Sequence, residues 1–370
     1  MVAFLAHSVN APCLPRNDMS CPVSVSQQKP FLGLLPAEAD EYLQQCGLDR
    51  WRGGQLRQWV YGKLVNNPEA MTSFSKKHRQ HLREAFVFTP AQMIRRQDSS
   101  DGTVKLLLEW EPGQVAETVM IPEGVRRTAC VSSQVGCPVG CRFCASGLGG
   151  SKGNLSAAQI VEQVIQLNII MGSEQRITNV VFMGMGEPLA NYAQVIQAVR
   201  ILHDPECLNL GARRITVSTV GIPARIRQLA GEDLPLNLAI SLHAPNEELR
   251  KQLIPWAEHF ALEEILDASR DYFEKTGREI TLEYILLSGV NDRPEHAREL
   301  VKVCRTMRAN VNLIMYNEVP ELEFGRPKAD DVSEFRRILR EGGVNVHVRK
   351  SRGRDIDAAC GQLRRKYQDL

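Results

Sequence analysis

The sequence predicts an α/β fold: a partial (β/α)6 barrel, a small helical domain ahead of it, and a β-hairpin connecting the two. Two observations predict that class. Beyond residue 126, short runs rich in β-branched residues alternate with helical periodicities six times, the pattern of a parallel sheet whose crossovers are helices. The residues with the most distinctive chemistry fall at the ends of those runs, where barrels of parallel strands carry their sites. A chain of 370 residues, 43% hydrophobic and 24% charged, has ample material for such a core.

Taken in order, residues 1–33 contain scattered Pro, Ser and Gln and read as a disordered tail, with Cys13 and Cys21 incidental to it. Residues 34–90 read as the helical domain. Its helices are expected at 37–46, at 54–66 with Leu56, Trp59, Val60 and Leu64 at spacings of three and four, and from 76 to about 86. The last carries Lys76, Lys77, His78, Arg79, His81 and Arg83, either a solvated face or a phosphate-contact surface. Residues 91–125 form the linking hairpin, with strands at 104–110 and 116–121 about the turn Glu111, Pro112, Gly113. The catalytic barrel occupies 126–363, with strands at 128–133, 179–183, 215–219, 236–241, 280–287 and 310–316 and helices between them. The first helix is opened by a capping box, Ser156 with Gln159. Residues 364–370 are a short tail.

A net charge of +2 and a pI near 8.0 neither require nor exclude a polyanionic partner. The ten cysteines sit in a chain too long to need disulfide staples, and their clustering points to metal or redox chemistry in a reducing compartment. The first 30 residues lack a basic start and a clean apolar core, so they do not read as a secretion signal. No apolar run approaches the ~20 residues of a membrane span. The expectation is a cytoplasmic protein without membrane contact.

The stretch 130–150 organises the site. Cys137, Cys141 and Cys144 fall within eight residues, flanked by Gly136, Gly140, Gly147, Gly149 and Gly150, so the backbone can wrap a compact soft ion or cluster. Structural zinc wants four ligands, and no His or Cys lies between Cys144 and His203 to supply a local fourth. A 4Fe–4S cluster on three thiolates keeps one iron free, whereas a ferredoxin-type cluster would show a fourth Cys nearby. The spacing CxxxCxxC, with Phe143 before its last Cys, resembles the signature of the radical S-adenosylmethionine (SAM) superfamily, in which the free iron is chelated by the amine and carboxylate of SAM. A zinc site completed from far away, or thiols that bind nothing, are the alternatives at this point.

The strand ends supply candidate cofactor contacts. MGMGEP at 183–188 offers Gly186, where a ligand can approach the backbone, and Glu187, which can accept from an ammonium. The motif resembles the radical-SAM element that holds the methionine amine. Ser218, then Ser241, Leu242 and His243, offer hydroxyls and an imidazole for ribose or carboxylate, and Asn317 follows the sixth strand. Near the end, VRKSRGRDIDAACGQL mixes Arg349, Lys350, Arg352 and Arg354 with Asp355 and Asp357, a cluster suited to phosphate but not a simple basic tail. Cys360, uncrowded between Ala359 and Gly361, and Cys130, seven residues before the metal loop, are spare thiols that invite a redox or covalent role.

CVSSQVGC followed by CRFCASG, then MGMGEPL, ISLHAPN and RGRDIDAACGQL, resembles the RlmN/Cfr family of radical-SAM RNA methyltransferases over residues 34–363. Cys130 and DIDAACGQL discriminate, because generic radical-SAM enzymes lack them. The resemblance implies methylation of adenosine at C2 in 23S rRNA, with tRNA next to the anticodon as a further substrate. Cys137, Cys141 and Cys144 would bind the 4Fe–4S cluster; Gly186, Glu187, Ser218, Ser241, Leu242, His243 and Asn317 would hold SAM. Cys360 would carry the methyl group, Cys130 would resolve the covalent RNA adduct by forming a disulfide, and Glu117 would accept the proton, a task the Cys130 thiolate could share. Adenine C2 is not nucleophilic and cannot attack the methyl of SAM directly, hence two SAM per turnover. The resemblance also implies an electron-donor protein such as a flavodoxin or ferredoxin, an RNA-binding role for the helical domain, and a monomer. Gly153 and Ala257 depart from the family's Arg and Asn, outside the SAM and thiol sets. Methylation at C8, and a non-catalytic RNA-binding protein braced by metal, are the competing readings.

Overall fold

The computed structural model of the protein describes residues 28–88, 91–172 and 174–364. The expected tail ends earlier than residue 33. Lys29–Pro30 (β1) pairs in parallel with Phe86–Val87 (β2), and Phe31 and Leu32 are buried. The Phe31 ring meets Tyr61, Phe86 and Phe88 at centroid distances between 5.4 and 6.0 Å. Two large apolar side chains anchor this segment where composition alone suggested none. The rest of that tail, with Cys13 and Cys21, lies outside the described residues, as do 365–370.

The helical module consists of Pro36–Gln45 (α1), Arg52–Arg57 (α2) and Lys76–Ala85 (α3). Pro36 opens α1, where its missing N–H costs nothing, and Ser75 caps α3 by accepting from His78 N–H. The second helix runs on through a π-turn at Gln58–Gly62 and stops short of residue 66, since Leu64 takes a left-handed φ of 58°. Leu43, Leu56, Met71 and Leu82 fill the interior of the module. Arg57, also buried, pairs with Asp40 and with Glu206, each at 2.6 Å, and the second contact ties the module to the barrel.

Gln92–Asp98 (β3), Val104–Glu109 (β4) and Val115–Glu123 (β5) form an antiparallel meander. The sequence QMIRRQD of β3 hid it from periodicity: it is a charged, largely exposed edge strand, a form that discourages further pairing. Arg126–Cys130 (β6) pairs antiparallel with β5. The hairpin Gln134–Gly136 (β7) and Ser151–Asn154 (β8) then brackets the three-cysteine loop. Ala157–Met171 (α4) starts at the expected capping box, Ser156 Oγ accepting from Gln159 N–H and Gln159 Oε1 from Ser156 N–H.

Strand and helix then alternate: Asn179–Phe182 (β9), Tyr192–His203 (α5), Ile215–Thr219 (β10), Pro223–Ala230 (α6), Asn237–Ser241 (β11), Glu247–Leu253 (α7), Leu262–Thr276 (α8), Ile280–Leu286 (β12), Pro294–Arg305 (α9), Ala309–Met315 (β13), Ala329–Glu341 (α10) and Asn345–Arg349 (β14). The sheet order is β14-β13-β12-β11-β10-β9-β6-β5-β4-β3, parallel from β14 to β6. The six βα units stand as expected, and β14 adds a seventh parallel strand. Side-chain alternation along β12 sets the layers. Leu282, Tyr284 and Leu286 are fully buried, Tyr284 packing on Phe335 of α10 at 5.4 Å, while Glu283 and Ile285 line a recess on the opposite face.

Candidate active site

The recess lies at the carboxyl ends of the parallel strands and encloses about 810 Å³ of atom-free space, open mouth included, within the size range of small-molecule sites. Cys137, Cys141 and Cys144 line it from the β7–β8 loop, Gly186 and Glu187 from the end of β9, and Ser218, Ser241 and His243 from the next two strand ends. Arg349 of β14 and Cys360 complete the wall. A second recess alongside is lined by Cys130, Asn317, Arg349 and again Cys360. Cys360 therefore stands between the three-cysteine loop and the second spare thiol.

Backbone geometry explains the MGMGEP stretch. A Cβ on Gly186, whose φ is +105°, would come within 2.7 Å of Ser133 Oγ and 2.8 Å of Gln134 N, and a Cβ on Gly184 within 2.7 Å of Val131 O. These glycines admit the neighbouring strand, and Gly186 also borders the recess with its backbone. Glu187 is thereby set deep in the recess, Oε1 accepting from Leu189 N–H and Oε2 from Val220 N–H at 2.9 and 2.7 Å. Burial lifts its carboxyl to about 7, against those hydrogen bonds. It retains acceptor capacity for an ammonium.

Ser218 Oγ and Ser241 Oγ lie 3.3 Å apart. His243 has φ +59°, packs edge-on against Phe143 at 4.9 Å, and accepts at Nδ1 from Ile285 N–H, leaving Nε2 to carry the proton. Burial pushes it down to about 3, so it is a neutral donor. Leu242 is buried and does not line the recess; its backbone N–H is taken by Glu283 O. Asn317 donates from Nδ2 to Cys360 O at 3.2 Å, which gives it a hold on the thiol segment in addition to its place in the second recess.

The segment carrying Cys360 is fastened from three sides. Ala145 N–H donates to Gly361 O and Ser146 Oγ to Leu363 O, from the metal loop. Gln362 Nε2 donates to Glu318 O after β13. On the meander side Lys105 Nζ donates to Asp357 O, and Arg364 N–H to Glu117 Oε2. Arg364 thus belongs to the fastening rather than to a tail. Glu117 itself lines neither recess; it forms a buried ion pair with Lys105 at 3.0 Å, and burial still holds its carboxyl above the ordinary value.

Sequence reasoning missed Lys105 and Arg349. A lone lysine inside the apolar run of β4, diagonal to Glu117 in the β4–β5 register, was the available signal for the first. Arg349, read as part of a phosphate patch, instead pairs with Glu283 at 3.3 Å and turns into both recesses. The charge of Cys360 is the main influence holding it above its usual value, with Glu283 adding to it. Arg352 and Asp355 are likewise engaged, with Asp101 and with Ser99 and Ser100. Burial pushes the Cys130 thiol up to about 12, Cys360 adding to it and Arg349 opposing.

Comparison with known proteins agrees with this geometry. Residues 131–301 match the model of the radical SAM superfamily, and residues 30–88 that of the ribosomal RNA large subunit methyltransferase N-terminal domain. A protein of Nostoc punctiforme named "Probable dual-specificity RNA methyltransferase RlmN" is 47% identical over 343 residues, covering 90% of this chain and 93% of its own. The chain belongs to the RlmN family of radical SAM methyltransferases. Its RlmN relative from Thermotoga maritima is 45% identical over 91% of this chain and 98% of its own. The crystal structure of a radical SAM methyltransferase from Sphaerobacter thermophilus superposes with a TM-score of 0.89 at 43% identity, covering 91% of this chain and 99% of that one.

Family membership makes a 4Fe–4S cluster and SAM the cofactors. The donor set fits them. The three thiols face one recess, and three thiolates on such a cluster leave one iron free for SAM. Among the described residues no helix is long and apolar enough to cross a membrane.

Proposed function

We propose that this RlmN-family chain methylates C2 of an adenosine in 23S rRNA, with a tRNA adenosine beside the anticodon as a second substrate. The observation that carries the reading is the place of Cys360, which borders the recess of Cys137, Cys141 and Cys144 on one side and that of Cys130 on the other. The names of the relatives support RNA as the substrate class.

In this reading Cys137, Cys141 and Cys144 hold the cluster. Gly186, Glu187, Ser218, Ser241, His243 and Asn317 bind SAM, with Leu242 contributing through its backbone. When bound, the cluster supplies the electron that cleaves SAM to a 5′-deoxyadenosyl radical. The Cys360 sulfur takes a methyl group from a first SAM. Once that methyl has lost a hydrogen atom, its carbon bonds to C2 and ties the RNA to Cys360. After the adduct has given up the C2 proton to Glu117 and one electron, which the bound cluster would accept, Cys130 as thiolate attacks the Cys360 sulfur. The sulfur–carbon bond breaks, its electron pair takes up a proton to complete the methyl group, and a disulfide remains. Glu117, on the same face of β5 as Ile121 of the second recess, is the proton acceptor in this scheme.

The helical module at 34–90 serves as an RNA-binding accessory, a role supported by its family match and by the basic face of α3. A one-electron protein such as a flavodoxin or ferredoxin completes the cycle, in a cytoplasmic monomer. Cys130→Ala tests the scheme: it should accumulate enzyme joined to RNA through Cys360, and mass analysis of nucleosides from wild-type reactions should show 2-methyladenosine. Free RNA with Cys130→Ala overturns the thiol roles, and 8-methyladenosine overturns the choice of carbon.

A further inference from the structure

Arg250, on α7, is the largest fully buried side chain among the described residues, 1% exposed. It sits where Val139, Phe143, Val220, Leu253 and Ile254 form an apolar cluster against which the three metal-loop cysteines pack. A guanidinium withdrawn from water is costly unless an anion or a full set of acceptors compensates it. Among the described residues no carboxylate forms an ion pair with it, its Nη2 donates to Val220 O, and its Nε is buried with no partner. Burial pulls the guanidinium down to about 10, and the charges of Cys141 and then of Glu247, one turn back, oppose that fall.

Two further contacts tie this cation to the site. Arg142 N–H, inside the metal loop, donates to Leu253 O at the end of α7. Val220, whose carbonyl takes the guanidinium, gives its own N–H to Glu187 Oε2 at 2.7 Å. Arg250 does not itself line the recess; its contacts run through Val220 and the end of α7.

We propose that Arg250 is the counter-charge of the cluster: a fixed cation near Cys141 that favours the reduced state and so positions the cluster's potential for cleaving SAM. One-electron reduction adds negative charge to a site already held by three thiolates, and a buried cation stabilises the more negative form. The inference rests on the family's cofactor and not on which RNA carbon is methylated.

The test compares Arg250→Gln, Arg250→Met and Arg250→Lys, each reconstituted anaerobically with iron and sulfide and titrated with dithionite while the reduced cluster is followed by electron paramagnetic resonance. Gln keeps a donor toward Val220 O without charge. Met removes charge and polar group together, a replacement that buried sites tolerate and that secures a folded variant should Gln fail. Gln and Met should make reduction at least tenfold less favourable, about 59 mV for one electron, and Lys should restore most of it. A neutral variant with the wild-type potential overturns the proposal, as does a Lys variant shifted as far as Met. Neither result bears on the RNA product, which nucleoside analysis reports separately.

Discussion

Lys105→Met isolates how the Cys360 segment is held. The Lys105 and Glu117 side chains are each 6% exposed and 3.0 Å apart, and Lys105 Nζ also donates to Asp357 O at 3.0 Å. The substitution removes that bond and strands a buried carboxylate whose remaining donor is Arg364 N–H at 2.8 Å. Removing one member of a buried pair costs ~3–5 kcal/mol, and the surviving hydrogen bond together with protonation of Glu117 keeps the loss near the lower end, about 3 kcal/mol. Burial already raises the Glu117 carboxyl and Lys105 opposes that rise, so the variant raises it further. A carboxyl with a folded pKa above its unfolded one binds its proton more tightly when folded, so stability falls as pH climbs from the ordinary carboxylate value through the folded one. The deficit should therefore be largest at neutral pH and shrink on acidification, as read by denaturant unfolding at a series of pH values. Lys105→Met with Glu117→Gln, which leaves neither charge, should recover most of the loss. A deficit that ignores pH, or a double variant no better than the single, refutes the reasoning.

Two further outcomes follow from the recess. Gly186→Ala forces a side chain into a left-handed φ, at about 1–2 kcal/mol, and against Ser133 and Gln134; displacing Glu187 should weaken SAM binding at least tenfold in equilibrium dialysis, with the cluster spectrum retained, and unchanged affinity would remove Glu187 from the binding set. Arg349→Met deletes the cation opposing the burial of Cys130, so in a Cys360→Ser background iodoacetamide should alkylate Cys130 more slowly at fixed pH, its pH profile moving upward; an unmoved profile would show that Arg349 does not act on that thiol.

Local chemistry made most of the barrel legible. Ser156 and Gln159 announced α4, and short β-branched runs announced β9 to β13, because burial on both faces of a parallel strand leaves a continuous apolar signature. The three-cysteine loop was readable because ligand spacing is itself the chemistry. What escaped depended on distant partners. Edge strand β3 shows its charges to solvent, and β14 was absorbed into a basic stretch whose first arginine turns inward to Glu283. Phe31 and Leu32 looked like tail until the partners more than fifty residues away came into view. The pairing of Lys105 with Glu117 likewise needs the register of two strands, and Arg250 gave no sign of itself on an otherwise polar helix.

Cys130 belongs to β6 and Arg349 to β14, the first and last strands of the parallel run, yet both border the second recess, so the curled sheet brings its two ends face to face across a seam. The segment after β14 lays Cys360 over that seam. In the reaction proposed above, the sulfur–sulfur bond that frees the product also staples the gap by which a base enters. In that scheme the two ends of the sheet would stay bridged by sulfur until the disulfide is reduced.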